Sequence, residues 1–366
     1  MKTRGTIILI LFVVVVAAVV GVSQFLRSQP PLEVTIAVNP IALDWVQELA
    51  TAFNATEPVV NGSRRVQVRV TPVDDLQVWG ADGGLWNLTN HPDGWIPGIS
   101  ASLDYANSVR LPFTEVQPSL AHTVLAWGGF TDAVEDITAS GEPLDWTSIQ
   151  EYLENERLSL ALPHPGRSLA GLAVALSGAG DYHDSTTLAG QQATNSGFRS
   201  WLVEMLGHVP NFNTLGALPA ETLAARGQSA GAVALLPESQ WLTNLRGQLV
   251  NTSNPVMLSY PEYNIDFDFP LAVWDDHLTT DDPEVPLKRQ AVRMFGEFAL
   301  GEAQQRRAAE FGLRPSTLPL AAGSAGLFDT GAPYGAAIEL PALPYVTPPS
   351  RTDLLVLIGA INQAVR

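Results

Sequence analysis

One segment divides this chain before any question of globular folding arises. Lys2 and Arg4 are followed by a run without charge from Gly5 to Leu26, whose centre reads ILILFVVVVAAVV. At about 1.5 Å per residue, a helix of that length crosses a hydrocarbon layer of roughly 30 Å. The positive residues ahead of it stay inside, so the remainder is exported. The run is too long and too uniform for a core strand. Two readings remain. One is an uncleaved transmembrane anchor over 5–26, which makes a single-pass protein of the cell membrane. The other is a signal sequence, whose removal leaves a secreted or periplasmic product. Ala17, Val19 and Gly21 form an imperfect cleavage site, so the anchor is the expectation. Gln29-Pro30-Pro31 leaves only a short spacer before folded chain begins.

The exported part opens as an α/β protein. EVTIAV at 33–38 reads as a strand. The segment that follows carries Leu43, Val46, Leu49, Ala50 and Phe53 at helical spacing, and RVQVRVT at 65–71 alternates as a second strand. Strand–helix–strand is the signature of a layered α/β architecture. Further on, 158–162, 230–236 and 267–274 read as strands, with Pro270 marking a bend. Leu287–Phe311 is the strongest amphipathic helix, with a stripe of Val292, Phe295, Phe298 and Ala299 ended by Gly312. Asp353–Val365 reads as a closing helix. Trp79, Trp86 and Trp95 lie in a Gly-, Asn- and Pro-rich stretch. Such aromatics either fill a core or line a cleft.

Several function classes are excluded. Lys and Arg total 20 against 37 Asp and Glu, a formal net charge of −17. Nothing neutralises phosphates in bulk, which argues against nucleic acid but leaves room for an anionic small ligand in a local pocket. There is no Cys, which removes disulfides, thiol catalysis and thiolate metal sites. The chain has no P-loop or dinucleotide fingerprint, and its six His show no compact ligand spacing. His183 beside Asp181 and Asp184 reads as a polar loop, and Asp266 with Asp268 as strand-edge residues. The pairs Asp275-Asp276 and Asp281-Asp282 lack the spacing of a calcium loop. No cofactor or metal is expected, and the reading is non-enzymatic. Catalytic arrays assembled only in three dimensions leave no trace in sequence.

An ordered set of segments resembles bacterial extracellular solute-binding proteins of the periplasmic-binding-protein type II fold. These segments are VTIAVNPIALDWVQELATAFNAT, GWIPGIS, ALPHPGRSLAGLAVA, SAGAVALLPES, YPEYNIDFDFPLAVW and KRQAVRMFGEFALGEAQQRRAAEFGLRP. They are most similar to the solute-binding-like region that precedes a von Willebrand factor A domain in some relatives. The resemblance implies two α/β lobes joined by crossing strands. Lobe one would take 33–118 and 265–366, and lobe two 119–264. A ligand would sit in the cleft between them.

Mapped onto that frame, the ligand-binding candidates are Asn39 at the first strand–helix turn and Ser100 after the Trp95 segment. Arg167 and Ser168 stand at a helix start, where N–H groups can hold an oxyanion. Tyr263 lies near the crossing. The function implied is non-catalytic, extracytoplasmic capture of a small molecule for transport or sensing, with a membrane transporter or surface complex as partner. The alternative is a membrane-anchored surface interaction or assembly protein that has lost solute capture.

Overall fold

The computed structural model describes Phe12, Val14, Val16 and residues 30–365, apart from 63, 81–83, 140–142, 156–157, 189, 217–218, 245–252 and 276–281. The transmembrane anchor is corrected here. Among the described residues no helix is long and apolar enough to cross a membrane. The most apolar long helix, Leu169–His183, has 15 residues, or roughly 22 Å, and is buried within the protein. Of the stretch 5–26 only Phe12, Val14 and Val16 are described, each helical; the rest of that expectation lies outside the described residues. Among the described residues, the single-pass location and the membrane contact through the N-terminal segment therefore have no span to rest on.

Two sheets build two lobes. The first runs in the order β2-β3-β1-β4-β10-β5. Its centre is β1 (Leu32–Val38), whose inward residues Leu32, Val34 and Ile36 are buried. β1 pairs in parallel with β3 (Arg64–Pro72) on one side and β4 (Gly94–Ile96) on the other. β2 (Val59–Val60) closes one edge, and β5 (Phe113–Gln117) forms the opposite edge. Between β4 and β5 lies a strand from far along the sequence, β10 (Leu271–Trp274), antiparallel to both.

The helix α1 (Leu43–Ala55) connects β1 towards β3 and buries Trp45, Val46, Leu49, Ala50 and Phe53, as its spacing predicts. A second covering helix, Glu284–Ala299, turns Ala291, Val292, Phe295 and Ala299 inward. Phe53 meets Phe295 and Phe298 edge-on, with ring centroids 5.5 and 5.4 Å apart. That helix lies so close to β4 that a Cβ at Gly94 would stand 3.0 Å from Val292 Cγ1.

The second sheet centres on the long β6 (Ala121–Phe130). Its far half pairs with β7 (Val233–Pro237) and β8 (Val256–Ser259). Its near half pairs with β9 (Asp266–Phe267) and β11 (Arg314–Pro315). The apolar run expected as one strand over 267–274 is thus two strands. Phe269 at φ 40° and Pro270 turn the chain between them, so β9 serves the second sheet and β10 the first. The long helix expected over 287–311 also breaks. Gly301 takes an extended conformation, and a separate short helix, Glu302–Ala308, follows. Leu158–Leu162 does not form a strand; only Leu160 bridges to Val233.

Candidate interlobe site

β1 ends at Asn39, which caps the turn Pro40–Ala42 through Ile41 N–H, 3.0 Å away. Its amide reaches across to Asp75 Oδ1 at 2.8 Å. Asp74 and Asp75 open a five-residue helix, α2 (Asp75–Trp79), with Asp74 as its N-cap. Asp75 is completely buried. It accepts from Gly98 N at 3.0 to 3.1 Å and from Ser102 Oγ at 2.6 Å. The segments that follow β1 and β4 thus converge on one carboxylate carried by the segment after β3.

The second lobe meets this cluster through α3 (Leu169–His183). Ser168 caps it by accepting from Gly171 N at 3.1 Å. The first helical N–H, that of Leu169, donates to Asp74 at 3.1 to 3.2 Å. The Leu169 side chain packs so tightly on Gly98 that a Cβ there would lie 2.3 Å from Leu169 Cδ2 and 3.1 Å from Asn39 Nδ2. A side chain at this position would have to push the Leu169 side chain aside where the two lobes meet.

Burial raises both carboxyls. Asp75 is pushed up to about 7, mainly by desolvation and then by the neighbouring Asp74, against the pull of its three donors. Asp74 is also raised by burial, although Leu169 N–H and Leu76 N–H oppose the shift.

Of the five residues singled out in sequence, Asn39 and Ser168 flank this seam. Ser100 stands just beyond it and gives both its N–H and its hydroxyl to Asp268. Burial raises Asp268 to about 6. Arg167 turns away to Asn213, 3.2 Å distant. Tyr263 is at the other end of α3, where its hydroxyl donates to Asp184. These two do not join the others.

Trp79 and Trp95 are fully buried and Trp86 nearly so. Trp79 packs on Tyr105 and Trp86 on Trp95, so none offers a face for stacking on a ligand. His183 bonds to the Gln192 carbonyl. Asp266 and Asp268 part company, one to His122 and one to Ser100. Among the described residues no cluster of acidic and His side chains could hold a metal ion. The sequence reading missed Asp74 and Asp75. Their one local signal was an Asp placed to cap a short apolar turn.

The fold is that of a type II periplasmic binding protein. The chain is similar to a chitin oligosaccharide binding protein, with a TM-score of 0.57 at 14% identity over 91% of this chain and 97% of that one. It is also similar to the substrate binding protein of an ABC transporter from Agrobacterium tumefaciens, with a TM-score of 0.52 at 14% identity over 93% and 96%. No family model and no curated protein sequence matches the chain.

The raised carboxyls set a pH dependence. Asp75 and Asp268 hold protons in the folded state that the unfolded chain releases near its ordinary value of 3.8. Folding therefore takes up protons between about pH 4 and 7, and stability falls as pH rises through that window. His122, raised by Asp266 against a burial effect that lowers it, acts in the same direction at its own higher range. The Tm is expected to be several degrees lower at pH 8 than at pH 5. A Tm that rises over this interval would contradict the assignment of Asp75 as a buried, proton-holding carboxyl.

Proposed function

We propose that this chain is an extracytoplasmic interaction or assembly protein. It keeps the two-lobe solute-binding fold, while its own side chains occupy the seam where a solute would sit. The observation that carries this reading is Asp74. Its carboxylate, from one lobe, accepts the first N–H of α3 in the other. A helix start with free N–H groups is where an anionic ligand would dock. Asn39, an expected ligand contact, is spent on Asp75, and Leu169 fills the space over Gly98. The buried tryptophans favour the same reading against sugar capture.

A thermal-shift screen over anions, sugars, amino acids and peptides tests it. The expected outcome is no saturable rise in Tm. A solute present at a hundred times its Kd would add about 2.7 kcal/mol, which such a screen detects readily. One saturable shift would restore solute capture as the function.

A further inference from the structure

The interlobe seam leaves unused a group of side chains on the crossing strands. Ser119 lies two residues before β6, and His122 is the second residue of that strand. Asp266 opens β9, which pairs with β6. The hydroxyl of Ser119 lies 2.9 Å from His122 Nε2. On the other side of the ring, His122 Nδ1 lies 3.0 and 3.2 Å from the two oxygens of Asp266. With Nδ1–H donating to Asp266, Nε2 is the acceptor that faces the Ser119 hydroxyl. This is the connectivity of a nucleophile, a base and a group that orients the base.

We propose that Ser119, His122 and Asp266 form an acyl-transfer site that hydrolyses small carboxylic esters. Three further observations fit it. The His122 and Asp266 side chains are each 33% exposed, so water and a small ester can reach them. Ser316 Oγ stands 3.1 Å from Ser119 Oγ, a second hydroxyl able to donate to a developing oxyanion. Gln305, fully buried, fixes both segments: its amide donates to the Leu120 carbonyl, and its oxygen accepts from Ser316 N and Thr317 N.

In the reaction, Ser119 Oγ attacks the ester carbonyl carbon while its proton passes to His122 Nε2. The tetrahedral adduct collapses, its C–O bond to the alkoxy group breaks, and His122 returns the proton to the departing alcohol. Water then attacks the acyl-Ser119 ester with His122 again as base, releasing the carboxylic acid and restoring Ser119. Asp266 holds the ring and is a positioning residue.

The test uses the full chain with a fluorophosphonate probe and with p-nitrophenyl acetate. The expected result is a single adduct mapped to Ser119, absent in Ser119→Ala, and ester hydrolysis above the Ser119→Ala background. Ser119→Ala removes one half-buried hydroxyl and leaves the strand pairing intact, so its Tm should match the parent. His122→Gln should label at least tenfold more slowly, since a positioned base contributes about 10²–10⁴-fold. Asp266→Asn should move the midpoint of the labelling–pH profile downward, because Asp266 raises the basicity of His122; a purely structural Asp266 would leave the midpoint in place. No adduct on the parent chain, an adduct that survives in Ser119→Ala, or parent-rate labelling of His122→Gln overturns the proposal.

Discussion

A fragment covering residues 33–264 is expected to lose the folded first lobe, with fast amide exchange through 34–53, where the chain 33–366 is protected. The reason is the position of β10. It is an interior strand, hydrogen-bonded to β4 on one side and β5 on the other. Its removal strands the edge of β4 and leaves β5 with no partner in the sheet. The same cut takes away the helix Glu284–Ala299, whose Val292 and Phe295 are fully buried. Losing a buried Phe or Val side chain costs about 1.5–3 kcal/mol each in transfer free energy. The fragment would lose the entire helix face and uncover Phe53 and Val34 besides. A domain stability of about 5–15 kcal/mol does not survive that. We propose on this basis that lobe one, expected over 33–118 and 265–366 with lobe two over 119–264, is discontinuous: β10 and the helix Glu284–Ala299 return to its sheet, while β9 and β11 of the same stretch pair with β6 in the second sheet. Native-like protection of 34–53 in the fragment, with cooperative unfolding, would defeat the division.

How much of this was legible beforehand depends on the range of each interaction. β1, α1 and β3 follow from period-2 and period-3.6 patterns within a few residues, and they lie where those patterns put them. The kink at Phe269 was only half visible. Pro270 signalled a bend, but the transfer of the chain from one sheet to the other depends on partners more than a hundred residues away. The helix break at Gly301 was overlooked because the apolar stripe continues across it. Ser168 was found because a hydroxyl before an apolar helical run is a local capping signal. Asn39 and Ser100 were found through family resemblance, but the carboxylates that engage them, Asp75 and Asp268, were not. A carboxylate enclosed by donors from several loops reads in sequence like any surface Asp. Asp266 shows the same limit, since its meaning changes once β9 lies against β6 and faces His122.

Replacing Asp75 with alanine is expected to cost about 3–5 kcal/mol, and replacing Asp74 about 1–3 kcal/mol, with a gain of anion binding in the second case. Both follow from counting the donors left behind, since each buried, unsatisfied donor costs about 1–3 kcal/mol. Asp75→Ala orphans Asn39 Nδ2, Gly98 N and Ser102 Oγ. The loss is tempered because a buried carboxylate that is costly to ionise goes with it, so the penalty should shrink as pH rises from about 4 to 7 and level off above that. Asp74→Ala takes the interlobe acceptor from Leu169 N–H. It also relieves the like-charge pressure on Asp75, which is second only to burial in raising that group. The two substitutions should therefore be less than additive. Removal of Asp74 also bares the N-terminus of a 15-residue helix, where an oxyanion is stabilised by N–H groups and helix dipole together. Formate or sulfate should raise the Tm of Asp74→Ala in a saturable manner while leaving the parent chain unchanged at the same ionic strength. That difference separates a carboxylate occupying a ligand position from one that merely caps α2. Equal responses of the two proteins would show that the seam holds no latent anion site. The proposed loss of solute capture would then need another cause than Asp74.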